Sequence, residues 1–220
     1  GIGEGYDLIV ANLANGDVIG HTQNNGAKIA CAGFVDERLG QMVNAALAAD
    51  CVVLVTADHG NLEEMIKPDG TPHVAHTTNP APLVAVDPRA EARIETGDGK
   101  LADVAPTVLE ALGIAPPEAM DGASLVGNHD WGGPRRVLVV ILDGWGIGKS
   151  DSTNPIWLAQ TPVWDDLARR YGCARLEASG EAVGLRPGLP GNSEAGHMSI
   201  GAGRAVLQDD VRLDRAMQDG

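Results

Sequence analysis

Aromatic residues are nearly missing from this chain: they make up 3% of its 220 residues, with a single phenylalanine, Phe34. A core must therefore be built from Val, Ile, Leu and Ala, and with 29 glycines the composition suits a parallel sheet buried on both faces. Basic residues are scarce as well, 16 against 30 acidic, and a formal charge of −14 repels a phosphate backbone, so nucleic acid is not an expected partner. Three cysteines, Cys31, Cys51 and Cys173, are an odd number without CxxC spacing. Neither a disulfide framework nor a thiolate zinc site is indicated, and a reducing cytoplasm is the expected compartment. No apolar run approaches the ~20 residues of a membrane-spanning helix, and the first five residues lack the basic-then-apolar pattern of a signal peptide, so no membrane association is expected. What is present, 44% hydrophobic residues, suffices for the core of one ordinary domain.

Short apolar runs at Leu8–Val10, Cys51–Val55, Leu83–Val86 and Val137–Leu142 read as buried strands. Between them Val35, Leu39, Met42, Val43, Ala46 and Leu47 recur at helical spacing, as do Leu101, Val104, Ala105, Val108, Leu109 and Leu112 before Gly113. A further helix is predicted from Thr161-Pro162, threonine capping and proline in the first turn. Alternating strands and helices predict an α/β sandwich, its sheet covered on both sides. The turn-rich segment 127–134 reads as a surface connection ahead of the strongest strand.

The strongest strands each end in an acidic residue followed by turn formers: Leu142 then Asp143-Gly144, and Thr56-Ala57 then Asp58-His59-Gly60. In open α/β sheets ligands sit beyond the carboxyl ends of the strands, so these carboxylates can converge there. Asp17 and His21 have a spacing that shares one helix face, and carboxylate with imidazole suits a divalent metal. His73 and His76 add nitrogen donors. Taken singly, an Asp after a strand is an ordinary cap or turn residue and a His an ordinary surface residue; their joint occurrence is what points to a metal centre. In Gly191-Asn192-Ser193-Glu194-Ala195-Gly196-His197 a serine lies among glycines, a carboxylate and an imidazole. Ser193 reads either as a helix cap, with Glu194 in the first turn, or as a nucleophile activated by a divalent metal. The segment is neither Gly-x-Ser-x-Gly nor a Walker loop.

Together, Val139 to Gly146, Gly191 to Met198 and Gly201 to Arg204 resemble the amino-terminal motifs of cofactor-independent phosphoglycerate mutases. Asn12 to Thr22, Thr56 to Asn61 and Pro72 to Pro80 resemble the same family's carboxy-terminal motifs. The order is inverted, and the family's inserted transferase domain is missing. The resemblance implies a single alkaline-phosphatase-like domain, a three-layer αβα sandwich around a largely parallel sheet, spanning 1–220. It would be circularly permuted: 1–126 the family's carboxy-terminal part, 127–134 the connection, and 135–220 the amino-terminal part.

The resemblance further implies two divalent metal ions, manganese before magnesium or zinc. One would take Asp17, His21 and His76; the other Asp58, His59, Asp143 and the nucleophile Ser193. His73 and His197 would support these ligands rather than join them. The substrate would be a small phosphomonoester, phosphoglycerate in the family, attacked by Ser193 to form a phosphoserine. Without the insert, whose arginines hold the glycerate, hydrolysis is expected in place of isomerisation, since water should reach the phosphoserine. Two alternatives stay open: full mutase activity with the transferase part supplied elsewhere, and a catalytically silent metal-binding module. The sequence does not set the oligomeric state.

Overall fold

The structure, a computed structural model, describes residues 1–127 and 129–219. Six strands, β1 (Leu8–Leu13), β2 (Cys51–Thr56), β3 (Ala81–Val86), β4 (Gly99–Lys100), β5 (Arg136–Leu142) and β6 (Ala174–Glu177), form one sheet in the order β1-β5-β2-β3-β6-β4. All pairings are parallel except those of β3, which runs against both β2 and β6. The four strands predicted from apolar runs are all present. The short β4 and β6 were not anticipated, because two residues of Gly-Lys and the alternating Ala-Arg-Leu-Glu carry no apolar run.

Every residue of β2 and β3 is buried, as are residues 137–142 of β5. These central strands are continuous Val/Leu/Ile runs because helices cover both of their faces. On one side pack α1 (Asn15–Gly20), α2 (Asn25–Ala48), α4 (Pro155–Leu158) and α5 (Pro162–Tyr171); α3 (Val104–Ala111) and α6 (Ser193–Ala202) pack with each other elsewhere on the sheet. This is the predicted α/β class with a largely parallel sheet. At the edge, β1 leaves Leu8 and Val10 exposed. No helix among the described residues is long and apolar enough to cross a membrane.

Local chemistry sets the helix ends. Asn24 caps α2 by accepting from the Ala27 amide, and Asn154 caps α4 through the amides of Ile156 and Trp157. The start of α5 departs from expectation: the Thr161 side chain makes no capping bond, and the amides of Val163 and Trp164 instead donate to Asp36, a buried carboxylate of α2. Burial pushes the Asp36 carboxyl up against the pull of those two amides. One side chain thus caps α5 and docks it on α2. The helix predicted over 101–112 begins as a 3-10 turn, Leu101–Asp103, with α3 starting at Val104.

The connection 127–134 is less superficial than predicted. Trp131 is buried and meets His129 edge-on at 4.5 Å between ring centroids, and His129 Nε2 lies 3.0 Å from Asp87. The next residue, Arg135, is 3% exposed and donates to Asp87 at 2.6 Å and to Asp50 at 3.2 Å. A buried guanidinium needs such partners, and they fasten the connection to the ends of β2 and β3. Asn128 lies outside the described residues.

Candidate metal centre

Strands β1, β5 and β2 are parallel neighbours, so the turns after them share one end of the sheet. After β1 the chain enters α1, which presents Asp17; after β5 comes Asp143; after β2 come Asp58 and His59. The turn after β5 must pass against α1. Gly144 makes this possible: its φ is +72°, and a Cβ there would lie 2.9 Å from the Cα of Asp17.

Asp17 and His21 share the face that their spacing predicted, with His21 Nε2 3.3 Å from Asp17 Oδ1. His76, carried by the loop before β3, places Nε2 3.1 Å from the same oxygen and 3.1 Å from His21 Nε2. His59 is fully buried, its Nε2 3.3 Å from Asp143 Oδ1, 3.5 Å from Asp58 Oδ2 and 3.9 Å from Asp17 Oδ1. Ser193 Oγ completes the set, 3.0 Å from His59 Nε2 and 3.2 Å from Asp143 Oδ1. All seven residues singled out as ligands therefore meet, although they come from five separated stretches of chain. Two groups, Asp17-His59-His76 and Asp58-His59-Asp143, each bring their donor atoms within 4.8 Å of one another.

Ser193 is the first residue of α6, and Asn192 is its cap, accepting from the Ala195 amide. The capping alternative for Ser193 is thereby overturned: a neighbouring side chain satisfies the amide, and the hydroxyl is left to face the cluster. His197, one turn on, sets Nδ1 2.8 Å from the Ser193 carbonyl oxygen and 3.2 Å from Asp58 Oδ2. His73 stays out of the cluster: its amide donates to Met65 and its carbonyl accepts from Lys28.

Carboxylates and imidazoles held this close perturb the titration of Asp17, His59 and His197. Burial pushes Asp17 up, but His76 and Asn61 bonds and the charges of His59 and His21 outweigh it and bring the carboxyl to about 2. Burial pushes His59 down, while Asp143, Asp58, the Gly60 carbonyl and Asp17 together lift it to about 9. The Asp58 carboxylate beside it raises His197, against some burial.

Two observations show that this donor set fits cations. Asp58 Oδ2 is buried and receives no well-aligned hydrogen bond, its nearest nitrogens being His197 Nδ1 at 3.2 Å and His59 Nε2 at 3.5 Å. His21 Nδ1 lies 2.9 Å from the Val74 carbonyl, which requires a proton on that nitrogen, so in neutral His21 the Nε2 lone pair faces His76. A carboxylate oxygen without an aligned donor and an imidazole lone pair aimed into one polar space suit a divalent ion bound by oxygen and nitrogen.

Sequence reasoning passed over the residues that hold these ligands. Asn61 donates to Asp17 Oδ1 at 2.6 Å, and Asn12 donates to Asp143 Oδ2 at 2.9 Å. Glu63, almost fully buried, accepts from the amides of Asn61 and Gly146 and from Thr77 and Asn79. The available signal was Asn61-x-Glu63 directly after His59-Gly60: a polar pair following a fully apolar strand.

Comparison with known proteins places this chain among metalloenzymes. A sequence model described as the metalloenzyme superfamily matches residues 2–116 and 135–216, leaving the connection between them unmatched. Curated relatives carry the name 2,3-bisphosphoglycerate-independent phosphoglycerate mutase. One from Cereibacter sphaeroides is 52% identical over 126 residues, 57% of this chain and 24% of that protein. Another from Syntrophotalea carbinolica is 50% identical over 121 residues, 55% of this chain and 23% of its own length. One from Flavobacterium johnsoniae is 46% identical over 120 residues, with shares of 54% and 23%. These alignments thus span about a quarter of the length of the relatives.

Proposed function

Because the chain belongs to the metalloenzyme superfamily, we propose that it is the phosphoryl-transfer domain of a phosphoglycerate mutase-type enzyme, acting through a phosphoserine at Ser193. The observation that carries this reading is the placement of Ser193 Oγ at the start of α6, 3.0 Å from His59 Nε2 and 3.2 Å from Asp143 Oδ1. One divalent ion would be held by Asp17, His21 and His76, the other by Asp58, His59, Asp143 and Ser193, with His59 near both sets; manganese is the proposed metal. When bound, such ions neutralise charge on phosphoryl oxygens and lower the pKa of a hydroxyl.

The chain's own part is to position. Ser193 supplies the oxygen that attacks phosphorus: a serine–phosphorus bond forms as the bond to the leaving alcohol breaks, and water later releases inorganic phosphate. The amino end of α6 favours the incoming anion. His197 braces the Ser193 carbonyl, while Asn12 and Asn61 fix the carboxylates of Asp143 and Asp17.

Circular permutation is part of the same proposal. It is supported by the match breaking at the connection and by β5, from the second part of the chain, lying between β1 and β2. Hydrolysis of a phosphomonoester, rather than isomerisation, is the activity proposed for this chain alone. The test is manganese-dependent hydrolysis of an aryl phosphate, with acid-quenched protein digested to find the phosphoryl group on the Ser193 peptide. Ser193→Ala is expected to abolish both signals; turnover unchanged by that substitution would remove Ser193 from the mechanism.

A further inference from the structure

One buried cation sits where two physical costs oppose it. Lys28 is fully buried, and as the fourth residue of α2 it lies toward the helix's amino end, which disfavours positive charge. Burial lowers its pKa from the ordinary lysine value, and the charge of Glu63 works against that fall. The ammonium donates to the His73 carbonyl oxygen at 2.5 Å and makes no ion pair with the described residues. A buried ammonium is costly unless its hydrogen bonds offset the lost hydration, so the bond to His73 carries the weight.

What that bond secures is the loop that carries His76, which is fastened on both sides of the ligand. On the amino side the His73 amide donates to the Met65 carbonyl at 2.9 Å, while Lys28 takes the His73 carbonyl. On the carboxyl side the Thr77 amide donates to the Gly60 carbonyl at 2.9 Å, and the Thr77 hydroxyl and the Asn79 side-chain amide donate to buried Glu63.

Between these anchors the Val74 carbonyl lies 2.9 Å from His21 Nδ1, and His76 Nε2 lies 3.1 Å from Asp17 Oδ1. Movement of His73 would therefore reach both imidazoles, His76 three residues along the loop and His21 through Val74. Asp58, Asp143 and Ser193 stand on other segments of the chain. We propose that Lys28 is a positioning residue of one metal site: from α2 it holds the His73 carbonyl and so keeps the imidazoles of His76 and His21 facing Asp17. This role rests on the two-cation reading above and adds that only one of the two sites depends on α2.

Manganese titrated into the metal-free chain, with the free ion read by its paramagnetic resonance signal, tests the role without turnover. Two binding steps are expected, and the step lost in Asp17→Asn/His76→Ala belongs to the Asp17-His21-His76 set. Lys28→Met should weaken that step about tenfold, the scale for losing a group that supports a metal ligand, and leave the other within about twofold. Thr77→Val, which removes the hydroxyl bond to Glu63 on the other side of His76, should weaken the same step; no change there would mean that the loop does not set this site. Asp87→Asn removes a buried pairing at the opposite end of the sheet and should move neither step, which separates positioning from a general loss of stability. The positioning role is overturned if Lys28→Met leaves the assigned step unchanged, weakens both steps equally, or does no more than Asp87→Asn. A parent chain that binds no manganese overturns the two-cation reading itself, whereas two intact steps in Lys28→Met overturn the role of Lys28 alone.

Discussion

Replacing Gly196 by alanine should uncouple Ser193 from its neighbours without substituting any ligand. Gly196 lies on the face of α6 that meets the turn after β2. An added Cβ would press on the Asp58 carbonyl oxygen and stand 2.9 Å from both the carbonyl carbon and the Cβ of Asp58. Ordinary carbon contacts are about 3.5 Å or more, so α6 must retreat by about 0.6 Å or more. That movement carries Ser193 Oγ away from His59 Nε2, now at 3.0 Å.

Overpacking of this kind costs about 2 kcal/mol, which for a domain of this size lowers the melting temperature by roughly 4–8 °C. A misplacement on the order of 1 Å at a reacting group costs about a hundredfold in rate. Gly201→Ala is the matched control on the same helix: nothing lies within 4 Å of its added Cβ. It should keep full activity and gain up to about 1 kcal/mol from helix propensity. Manganese-dependent hydrolysis of phenyl phosphate and thermal melts of both variants give the comparison. If Gly196→Ala matches Gly201→Ala in rate and melting, the close seating of α6 on Asp58 does not position Ser193.

Lys28→Met keeps the bulk of a fully buried side chain but loses the 2.5 Å bond to the His73 carbonyl. Urea unfolding should show a loss of about 1–3 kcal/mol, and an unchanged midpoint would mean that this carbonyl finds another partner. Burial pushes the Asp87 carboxyl up, but the Arg89 amide, His129 and Arg135 outweigh it and hold the group below its ordinary value. Its stabilisation is therefore complete above the unfolded value of about 3.9 and fades as pH falls through the lower folded value. Asp87→Asn should cost about 3 kcal/mol at pH 7, and the gap to the parent chain should narrow toward about pH 3. A gap of equal size at both pH values would refute the pairing. Manganese at about a hundred times its Kd should add about 2.7 kcal/mol to unfolding stability, reversed by a chelator and lost in Asp17→Asn/His76→Ala. A melting curve indifferent to the ion would sink the two-cation reading.

The central strands were legible in the sequence because burial on both faces writes an uninterrupted apolar run, as in Cys51–Val55 and Val137–Leu142. Asp58, His59 and Asp143 were legible for a related reason: they follow those runs directly, where apolar sequence gives way to Asp and His. Glu63 and Lys28 were not legible, since a buried charge looks like a surface charge until its partners are placed around it. The same holds for Asp36, a helix-interior residue that serves as the cap of α5.

The central place of β5 bears on how the molecule can be assembled. Hydrogen-bonded neighbours such as Val10 and Val139 are separated by more than half the chain, so the sheet closes only through contacts of very long range. Such a topology folds slowly. Until Arg136–Leu142 slots in, β1 and β2 each present an unpaired apolar border, a template for aggregation during synthesis. Residues 1–126 produced as a fragment should therefore be poorly soluble, and a separately added piece carrying β5 should rescue them by strand complementation.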